Sequence, residues 1–289
     1  LHAALGVLIV VGLVCSSMIA GRPVDRSVRS NALASRDIVL CLDVSTSMLD
    51  TDVEILDTFT KMLDTFEGER VALVVWNTTA QTMVPLTDDY DLLRSQFEEA
   101  ASALDFNPTY ANPMSSKYIT TFGGTLLNEV RASSLIGDGL ASCSLAFDTN
   151  KVEDRSRSIV LASDNQAVDP EHQQVYSLAE AADLASQENI RLFSLFGSDP
   201  TTVDPKLSGM TLDQARQDLR TVTEDHGGFF YEVDDPKAVD GIVKELEADQ
   251  ATVLEGDTEV RITDKPQVYA VWLVSVVAAL LLLTAWRRA

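Results

Sequence analysis

The sequence predicts an α/β domain built on a doubly wound, mostly parallel β-sheet with helices on both faces. Two observations predict this fold. Apolar runs of strand length alternate with helix-length stretches over residues 36–250. The runs at residues 38–42 and 159–162 are apolar throughout, as expected of strands that helices cover on both faces. In such folds the binding crevice lies beyond the carboxyl ends of the strands, so polar residues directly after strands are the candidates for function.

The predicted elements follow one another in β-α order. Strands are predicted at residues 37–42, 71–76, 81–84, 158–162, 190–196 and 228–232. Helices are predicted at residues 53–66, 90–104, 135–147, 174–188, 212–225 and 236–250. Residues 105–133 interrupt this rhythm as a long connection with two prolines and a Gly-Gly pair. Loops of that length in a compact domain tend to be functional or mobile.

Two apolar stretches of membrane-spanning length flank the domain. A signal peptide is the alternative for residues 1–21, but no Lys or Arg precedes the apolar run, so we expect a retained helix. Because the chain begins with Leu1, we also expect the sequence to continue upstream. The second stretch ends with Trp286 and two arginines, an interface residue and a basic stop. The predicted organisation is a transmembrane helix (1–21), a linker (22–35), the α/β domain (36–250), a juxtamembrane linker (251–267), a transmembrane helix (268–286) and a basic tail (287–289).

Charge and cysteine content narrow the function further. The formal net charge of -22 would repel phosphates, which excludes a nucleic-acid surface and favours a cation or a basic partner. The three cysteines, Cys15, Cys41 and Cys143, lack the spacing of zinc ligands, and no disulfide framework is predicted from them.

A carboxylate and three hydroxyl groups follow the first predicted strand. They belong to Asp43, Ser45, Thr46 and Ser47, and Asp164 supplies a second carboxylate after the strand at residues 158–162. The alternative is structural, because one hydroxyl could cap the next helix and an Asp at a strand end is often a turn residue. A cap needs only one side chain, however. Two separate segments that bring oxygen atoms to one edge predict a site for a hard divalent cation such as Mg²⁺.

The pattern Asp43-x-Ser45-x-Ser47 after an apolar strand resembles the metal-ion-dependent adhesion site (MIDAS) of von Willebrand factor A (VWA) and integrin inserted domains. Further segments resemble the family in the same order, over a region that spans residues 36–250. They lie at residues 71–76, 84–89, 136–140, 159–164 and 227–231.

The resemblance implies that Ser45 and Ser47 bind the metal directly, while Asp43 and Asp164 hold it largely through water. Ser134 stands where the family has a third hydroxyl ligand, a Thr. The implied cofactor is Mg²⁺, or Mn²⁺ or Ca²⁺, and the implied partner is a protein whose Asp or Glu completes the coordination. Asn165 departs from the family, which usually has Gly there, and we expect this change to alter the turn more than the metal.

The flanking helices make the layout similar to bacterial Bat-type aerotolerance proteins, which are often encoded near MoxR-type AAA+ ATPases. That layout implies a multi-pass protein of the bacterial plasma membrane with an extracytoplasmic VWA domain, and a MoxR-type ATPase or sister VWA proteins as partners. Arg287 and Arg288 favour a cytoplasmic C-terminus, whereas arginines at 22, 26, 29 and 36 oppose the extracytoplasmic orientation.

Three other functions compete with metal-dependent binding. A metal-dependent phosphohydrolase of the haloacid-dehalogenase class needs a second Asp two residues after the first, where this chain has Ser45. A serine hydrolase would need a Gly-x-Ser-x-Gly elbow, which the sequence lacks. His172 in a loop and His226 at a helix end are not expected to be catalytic. A membrane scaffold with a vestigial metal site remains the main alternative to a binding protein that is not an enzyme.

Overall fold

The structure is a computed structural model, which describes residues 10–11, 13–14, 16–17, 24–27, 36–108, 114–126, 134–148, 155–170, 172–198, 205–254, 261–264 and 267–286. The chain forms two units, residues 31–255 and residues 1–30 with 256–289. In chain order the described elements are β1 (Val24–Ser27), β2 (Arg36–Asp43), α1 (Leu49–Leu63), β3 (Arg70–Trp76), β4 (Ala80–Thr87), α2 (Tyr90–Leu104), α3 (Ser116–Phe122), α4 (Ile136–Ser144), β5 (Ser156–Ser163), α5 (Leu178–Gln187), β6 (Ile190–Phe196), α6 (Pro205–Ser208), α7 (Leu212–Asp225), β7 (Phe229–Glu232), α8 (Ala238–Leu254), β8 (Arg261–Asp264) and α9 (Gln267–Trp286).

The sheet of residues 31–255 has six strands in the order β4-β3-β2-β5-β6-β7. All neighbouring pairs are parallel except β3 and β4. The predicted α/β fold with a mostly parallel sheet is therefore confirmed. Because five strands run in the same direction, their carboxyl ends meet at one edge of the sheet.

Apolar side chains of the central strand alternate between two buried clusters. Ile38, Leu40 and Leu42 pack in a cluster with residues of α1, α2 and α8. Val39 and Cys41 pack in a second cluster with residues of α4, α5 and α7. The continuous apolar run of β2 thus has the predicted cause, since helices cover both of its faces.

Most predicted strands and helices are confirmed to within a few residues, and α2 and α7 have the predicted bounds. Helix α5 begins at Leu178, four residues later than predicted, because Ser177 and Glu180 form a capping box there. Helix α1 begins at Leu49 rather than residue 53, directly after the turn that follows β2. The prediction of a loop throughout 105–133 is wrong for α3, whose Tyr118 and Phe122 are buried. Residues 109–113 and 127–133 lie outside the described residues.

A disulfide joins Cys41 of β2 to Cys143 of α4. The spacing of the cysteines in the sequence does not indicate this pairing. The two residues are 102 positions apart, and packing of α4 against β2 brings their Cα atoms to 6.0 Å. Cys15 lies outside the described residues.

In the second unit, β1 and β8 form an antiparallel pair with Val24 opposite Asp264 and Ser27 opposite Arg261. The predicted linkers at 22–35 and 251–267 therefore contain strands, and α8 extends into the second of them. Among the residues that the structure describes, no helix combines the length and apolar character needed to cross a membrane. The membrane helices at 1–21 and 268–286 stay predictions, as do the domain boundaries, and the tail at 287–289 lies outside the described residues.

Candidate metal centre

Asp43 and Asp164 lie side by side at the carboxyl edge of the sheet. Asp43 is the last residue of β2, and Asp164 follows β5, which pairs with β2 in parallel so that Leu42 lies opposite Ala162. The carboxylate of Asp43 accepts hydrogen bonds from the Ser45 backbone N–H (3.0 Å) and from Ser163 Oγ (2.8 Å). Both Asp43 and Asp164 are fully buried.

The turn between β2 and α1 presents the predicted hydroxyl groups. The Oγ atoms of Ser45 and Ser47 are 3.1 Å apart, and the Met48 N–H donates to the Ser45 carbonyl (3.0 Å). The N-cap of α1 is Met48, without a side-chain capping bond. The structural alternative, in which a hydroxyl of residues 45–47 caps the helix, is therefore wrong.

Asp164 has one satisfied oxygen and one without a partner. Its Oδ1 accepts a hydrogen bond from the Gln166 N–H (2.9 Å), whereas Oδ2 is buried and has no hydrogen-bond partner in the structure. Asn165 has a φ of 51°, a left-handed conformation that Gly adopts most readily and Asn next. Its Nδ2 donates to the Ala215 carbonyl (2.9 Å) and to Asp218 (3.0 Å). Asn165 thus adopts a Gly-like turn and fastens it to α7.

Backbone hydrogen bonds of Ser134 and Leu135 place Ser134 at the same edge of the sheet. Its backbone pairs with that of Val168 in both directions (2.8 and 3.0 Å), and the Leu135 N–H donates to the carbonyl of Asn77, the residue after β3 (3.0 Å). Ser134 is buried, and its Oγ has no hydrogen-bond partner. The preceding residue, Ser133, lies outside the described residues. We call residues 43–48, 76–77, 134–135 and 163–168 the carboxyl-edge site.

The electrostatics of the carboxyl-edge site are those of buried negative charges near one another. The pKa of Asp43 is raised to about 7, chiefly by burial and secondly by the charge of Asp164, against hydrogen bonds from Ser45 and Ser163. Burial also raises the pKa of Asp164, against hydrogen bonds from the Gln166 backbone and the Ser47 side chain. A cation placed between these groups would oppose both shifts, because a nearby positive charge favours the ionised form of a carboxylate.

Asp52 is a third buried carboxylate, and sequence reasoning missed it. It lies in the first turn of α1, is fully buried, and neither of its oxygens has a hydrogen-bond partner. Burial raises its pKa well above the usual value, and the charges of Asp43 and Asp164 raise it further. An Asp among apolar residues at helical spacing was the one available signal, since Leu49, Ile55 and Leu56 of the same helix are buried.

The residues at the carboxyl-edge site fit a hard divalent cation. Their donors are carboxylate and hydroxyl oxygens, the ligands that Mg²⁺, Mn²⁺ and Ca²⁺ prefer. Ser134 Oγ and Asp164 Oδ2 are buried without partners, and such atoms are rare in folded proteins unless an ion or water satisfies them. Within the described ranges, no three side chains of His, Cys, Asp or Glu come together as a metal site on their own. The candidate centre therefore consists of two carboxylates supplemented by hydroxyls.

Comparison with known proteins bears on the fold. No protein-family model matches the chain, and no curated protein is significantly similar to it in sequence. Among solved structures, BatB from Bacteroides thetaiotaomicron is 17% identical, with a TM-score of 0.52, over 75% of this chain and 99% of that chain.

Two further solved structures are similar at lower scores. An aerotolerance-related membrane protein from Bacteroides fragilis is 18% identical (TM-score 0.49, 75% of this chain and 99% of that chain). Proximal thread matrix protein 1 from mussel byssus, with a zinc-occupied MIDAS motif, is 16% identical (TM-score 0.44, 78% of this chain and 48% of that chain). The resemblance that the sequence predicts is confirmed at the level of the fold: the unit of residues 31–255 is an α/β domain with a VWA-like fold, and the chain is similar in fold to BatB.

Proposed function

We propose that this protein binds a protein partner through a divalent metal ion held at the carboxyl-edge site. The observation that carries the proposal is the pair of buried, unpartnered oxygens, Ser134 Oγ and Asp164 Oδ2, beside two carboxylates whose pKa values burial raises. The proposed ion is Mg²⁺, with Mn²⁺ or Ca²⁺ as alternatives. The proposed ligands are Asp43, Ser45, Ser47, Ser134 and Asp164.

The hydrogen bonds of these residues are consistent with different roles. Both oxygens of Asp43 already accept hydrogen bonds, which suits a carboxylate that holds the ion through water. Ser45 and Ser47 lie within hydrogen-bond distance of each other, so one ion could bind both hydroxyls directly. When bound, the ion would supply an open coordination position. An Asp or Glu carboxylate of a partner protein is the ligand whose charge and hardness fit that position best.

The competing functions are supported less well. A phosphohydrolase needs a second acid two residues after Asp43, and Ser45 stands there with its N–H bonded to the Asp43 carboxylate. His226 terminates α7, with Nδ1 2.7 Å from the Val222 carbonyl and Nε2 3.0 Å from Asp183. A scaffold with a vestigial site would bury unpaired carboxylates with no compensation, and such burial destabilises a fold.

We further propose that the domain is anchored in the bacterial plasma membrane and lies outside the cytoplasm. The apolar stretches at 1–21 and 268–286 support the anchor. The Cys41–Cys143 disulfide supports the orientation, because disulfides persist in oxidising compartments and are rare in the cytosol. A MoxR-type ATPase system or sister VWA proteins are the proposed associates. Alkylation under denaturing, non-reducing conditions should leave Cys41 and Cys143 unmodified in protein from native membranes, and labelling of both would contradict this orientation.

Pull-down from detergent-solubilised membranes, with and without EDTA, tests the metal-dependent binding. We expect the wild-type protein to recover its partners in Mg²⁺ and to lose them in EDTA, and Ser47→Ala to lose them in both conditions. Ser95→Ala is the matched control, since Ser95 is exposed on α2 and donates to the Leu92 carbonyl (2.8 Å). Recovery of the same proteins by wild type and Ser47→Ala in both conditions would favour the scaffold instead.

A further inference from the structure

Asp52 has no local structural explanation. Its own N–H donates to the Met48 carbonyl (2.8 Å), as helix geometry requires, but its carboxylate oxygens accept no hydrogen bond although the residue is fully buried. Its position in the first turn of α1 offers the partial positive charge of a helix N-terminus, which stabilises an anion only modestly. Burial of a charge without a partner costs more than that.

The charges that act on Asp52 come from the carboxyl-edge site. Asp43 and Asp164 are the two groups whose charges raise its pKa, in addition to burial. Tyr118 is affected by the same charges. Burial raises its pKa, a hydrogen bond from Asn77 lowers it, and the charges of Asp52 and Asp43 raise it further. Backbone geometry also places Asp52 beside the site, because its N–H donates to the carbonyl of Met48, whose own N–H donates to the carbonyl of Ser45 (2.8 and 3.0 Å).

Tyr118 and Asn77 contact the turn that carries Asp43. The Tyr118 hydroxyl donates to the carbonyl of Val44, directly after Asp43, and Asn77 Nδ2 lies 3.4 Å from the Tyr118 hydroxyl. Asn77 Oδ1 is also buried without a partner. Unpartnered buried oxygens therefore occur on two residues next to this turn, Asp52 on the helix that follows it and Asn77 directly after β3.

We propose that Asp52 supplies a third negative charge to the metal centre, without coordinating the ion itself, and that this charge raises the affinity of the centre for divalent cations. Direct coordination is excluded from the proposal because no three acidic side chains converge on one point in the described part of the chain. This inference rests on the proposed function, since it assigns a further residue to the same metal centre.

The test compares Asp52→Asn with wild type in the full chain, purified in detergent, with Mn²⁺ as the probe in isothermal titration calorimetry. Loss of groups that support metal ligands without touching the metal typically weakens binding about 10- to 100-fold, and we expect Asp52→Asn to fall in this range. The same variant should melt at a higher temperature than wild type in EDTA, because an unpaired buried charge is gone. A merely structural role for Asp52 would lower that melting temperature.

Asp57→Asn is the matched control, because Asp57 lies on the same helix with an exposed side chain paired to Lys61. It should leave both the Mn²⁺ affinity and the melting temperature in EDTA unchanged. Equal Mn²⁺ affinity of Asp52→Asn and wild type would overturn the inference while leaving the proposed function standing. Failure of the wild type to bind Mn²⁺ would overturn the proposed function itself.

If Asp52→Asn does not fold or melts lower in EDTA, and Asp52→Ala does the same, the carboxylate is structural and the inference is wrong.

Discussion

Strand β2 carries a buried aspartate at each end, and the two have opposite surroundings. Asp37, near the start, accepts hydrogen bonds from Arg70 (2.9 and 2.7 Å) and from Arg155 (2.6 Å). Among the described residues, Asp43 at the end of the strand receives hydrogen bonds from the neutral groups of Ser45 and Ser163, and the charge that shifts its pKa, that of Asp164, is negative. One strand therefore contains both a carboxylate that the chain neutralises and one that it does not.

The same contrast extends to the neighbours of each aspartate. At the amino edge, Arg36 pairs with Glu69, both of them buried, and Arg70 pairs with Asp148 as well as with Asp37. We call Arg36, Asp37, Glu69, Arg70 and Arg155 the amino-edge cluster. At the carboxyl edge, Asp43, Asp52 and Asp164 are all buried. At the amino edge each buried charge has an oppositely charged partner in the chain, although Arg36 Nε and Nη1 have no hydrogen-bond partner. At the carboxyl edge the three buried acids form no ion pair among the described residues, which is the arrangement expected of a cation site.

Breaking the amino-edge cluster should have the largest effect on stability. Glu69→Gln leaves the buried guanidinium of Arg36 without its ion pair, and removal of one partner of a buried pair costs about 3 to 5 kcal/mol. Urea denaturation of the full chain in detergent should show this loss in the free energy of unfolding. Asp57→Asn, which breaks the exposed pair with Lys61, should cost less than about 0.5 kcal/mol. Equal losses in the two variants would remove the contrast between the edges.

Removing a negative charge from the carboxyl edge should raise the free energy of unfolding instead of lowering it. Without metal, Asp43→Asn should raise the free energy of unfolding at pH 7.5 by on the order of 2 kcal/mol, because the buried Asp43 charge is disfavoured. Saturating Mg²⁺ at 100 times its Kd should stabilise wild type by about 2.7 kcal/mol and the variant not at all. Thermal melts with EDTA and with Mg²⁺ measure both effects. A variant that melts below wild type in EDTA, or that still responds to Mg²⁺, would show that Asp43 is not an uncompensated metal ligand.

The difference between the two edges explains what the sequence revealed and what it did not. Asp43, Ser45, Ser47 and Asp164 were predicted because they directly follow apolar strands, and parallel strands bring such residues to one edge. Asp52 was missed because an Asp in a helix is usually solvent-exposed, and only the packing of α1 shows that this one is buried.

Local sequence patterns also cannot predict contacts between residues that are far apart in the chain. The disulfide joins residues 102 positions apart, and the ion pair of Arg36 with Glu69 depends on the register between β2 and β3. The capping box of α5 differs, because its Ser-x-x-Glu signature stands in the sequence at Ser177 and Glu180. Closer attention to that signature would have corrected the predicted start of the helix.

The pH dependence of the free energy of unfolding should reveal Asp43 at the carboxyl edge, with a smaller effect than the substitutions above. The pKa of Asp43 is about 7 in the folded chain and 3.8 when unperturbed, so between these values the folded state binds more protons than the unfolded state. The free energy of unfolding of the metal-free protein should therefore fall as pH rises from about 4 to about 7, by at most about 1.4 kcal/mol per pH unit from this group. Urea denaturation at pH 5.5 and 7.5 in EDTA measures the slope.

Comparison with Asp43→Asn shows the contribution of Asp43 together with the effect of its charge on Asp52 and Asp164, because the remaining titratable groups are common to both proteins. The slope should be shallower in the variant. Saturating Mg²⁺ should also flatten the slope of the wild type, since the ion binds the deprotonated carboxylate. Identical slopes for wild type and Asp43→Asn in EDTA would contradict the raised pKa.

The smallest expected effect concerns Asn165. This neutral residue forms the turn after Asp164. Asn165→Gly keeps the left-handed φ of 51° accessible but loses the hydrogen bonds to Ala215 and Asp218, which should cost about 1 to 2 kcal/mol. Asn165→Ala loses the same bonds and also strains the backbone. It should be less stable than the Gly variant by about 0.5 to 1 kcal/mol, because the strain of a left-handed Ala exceeds the entropy cost of Gly. Urea denaturation measures this difference.

Calorimetry should show that the Gly variant binds Mn²⁺ within about threefold of wild type, since the turn conformation is retained. A large loss of Mn²⁺ affinity in Asn165→Gly, with Asn165→Ala no less stable, would mean that the Asn165 side chain and not the turn conformation serves the site.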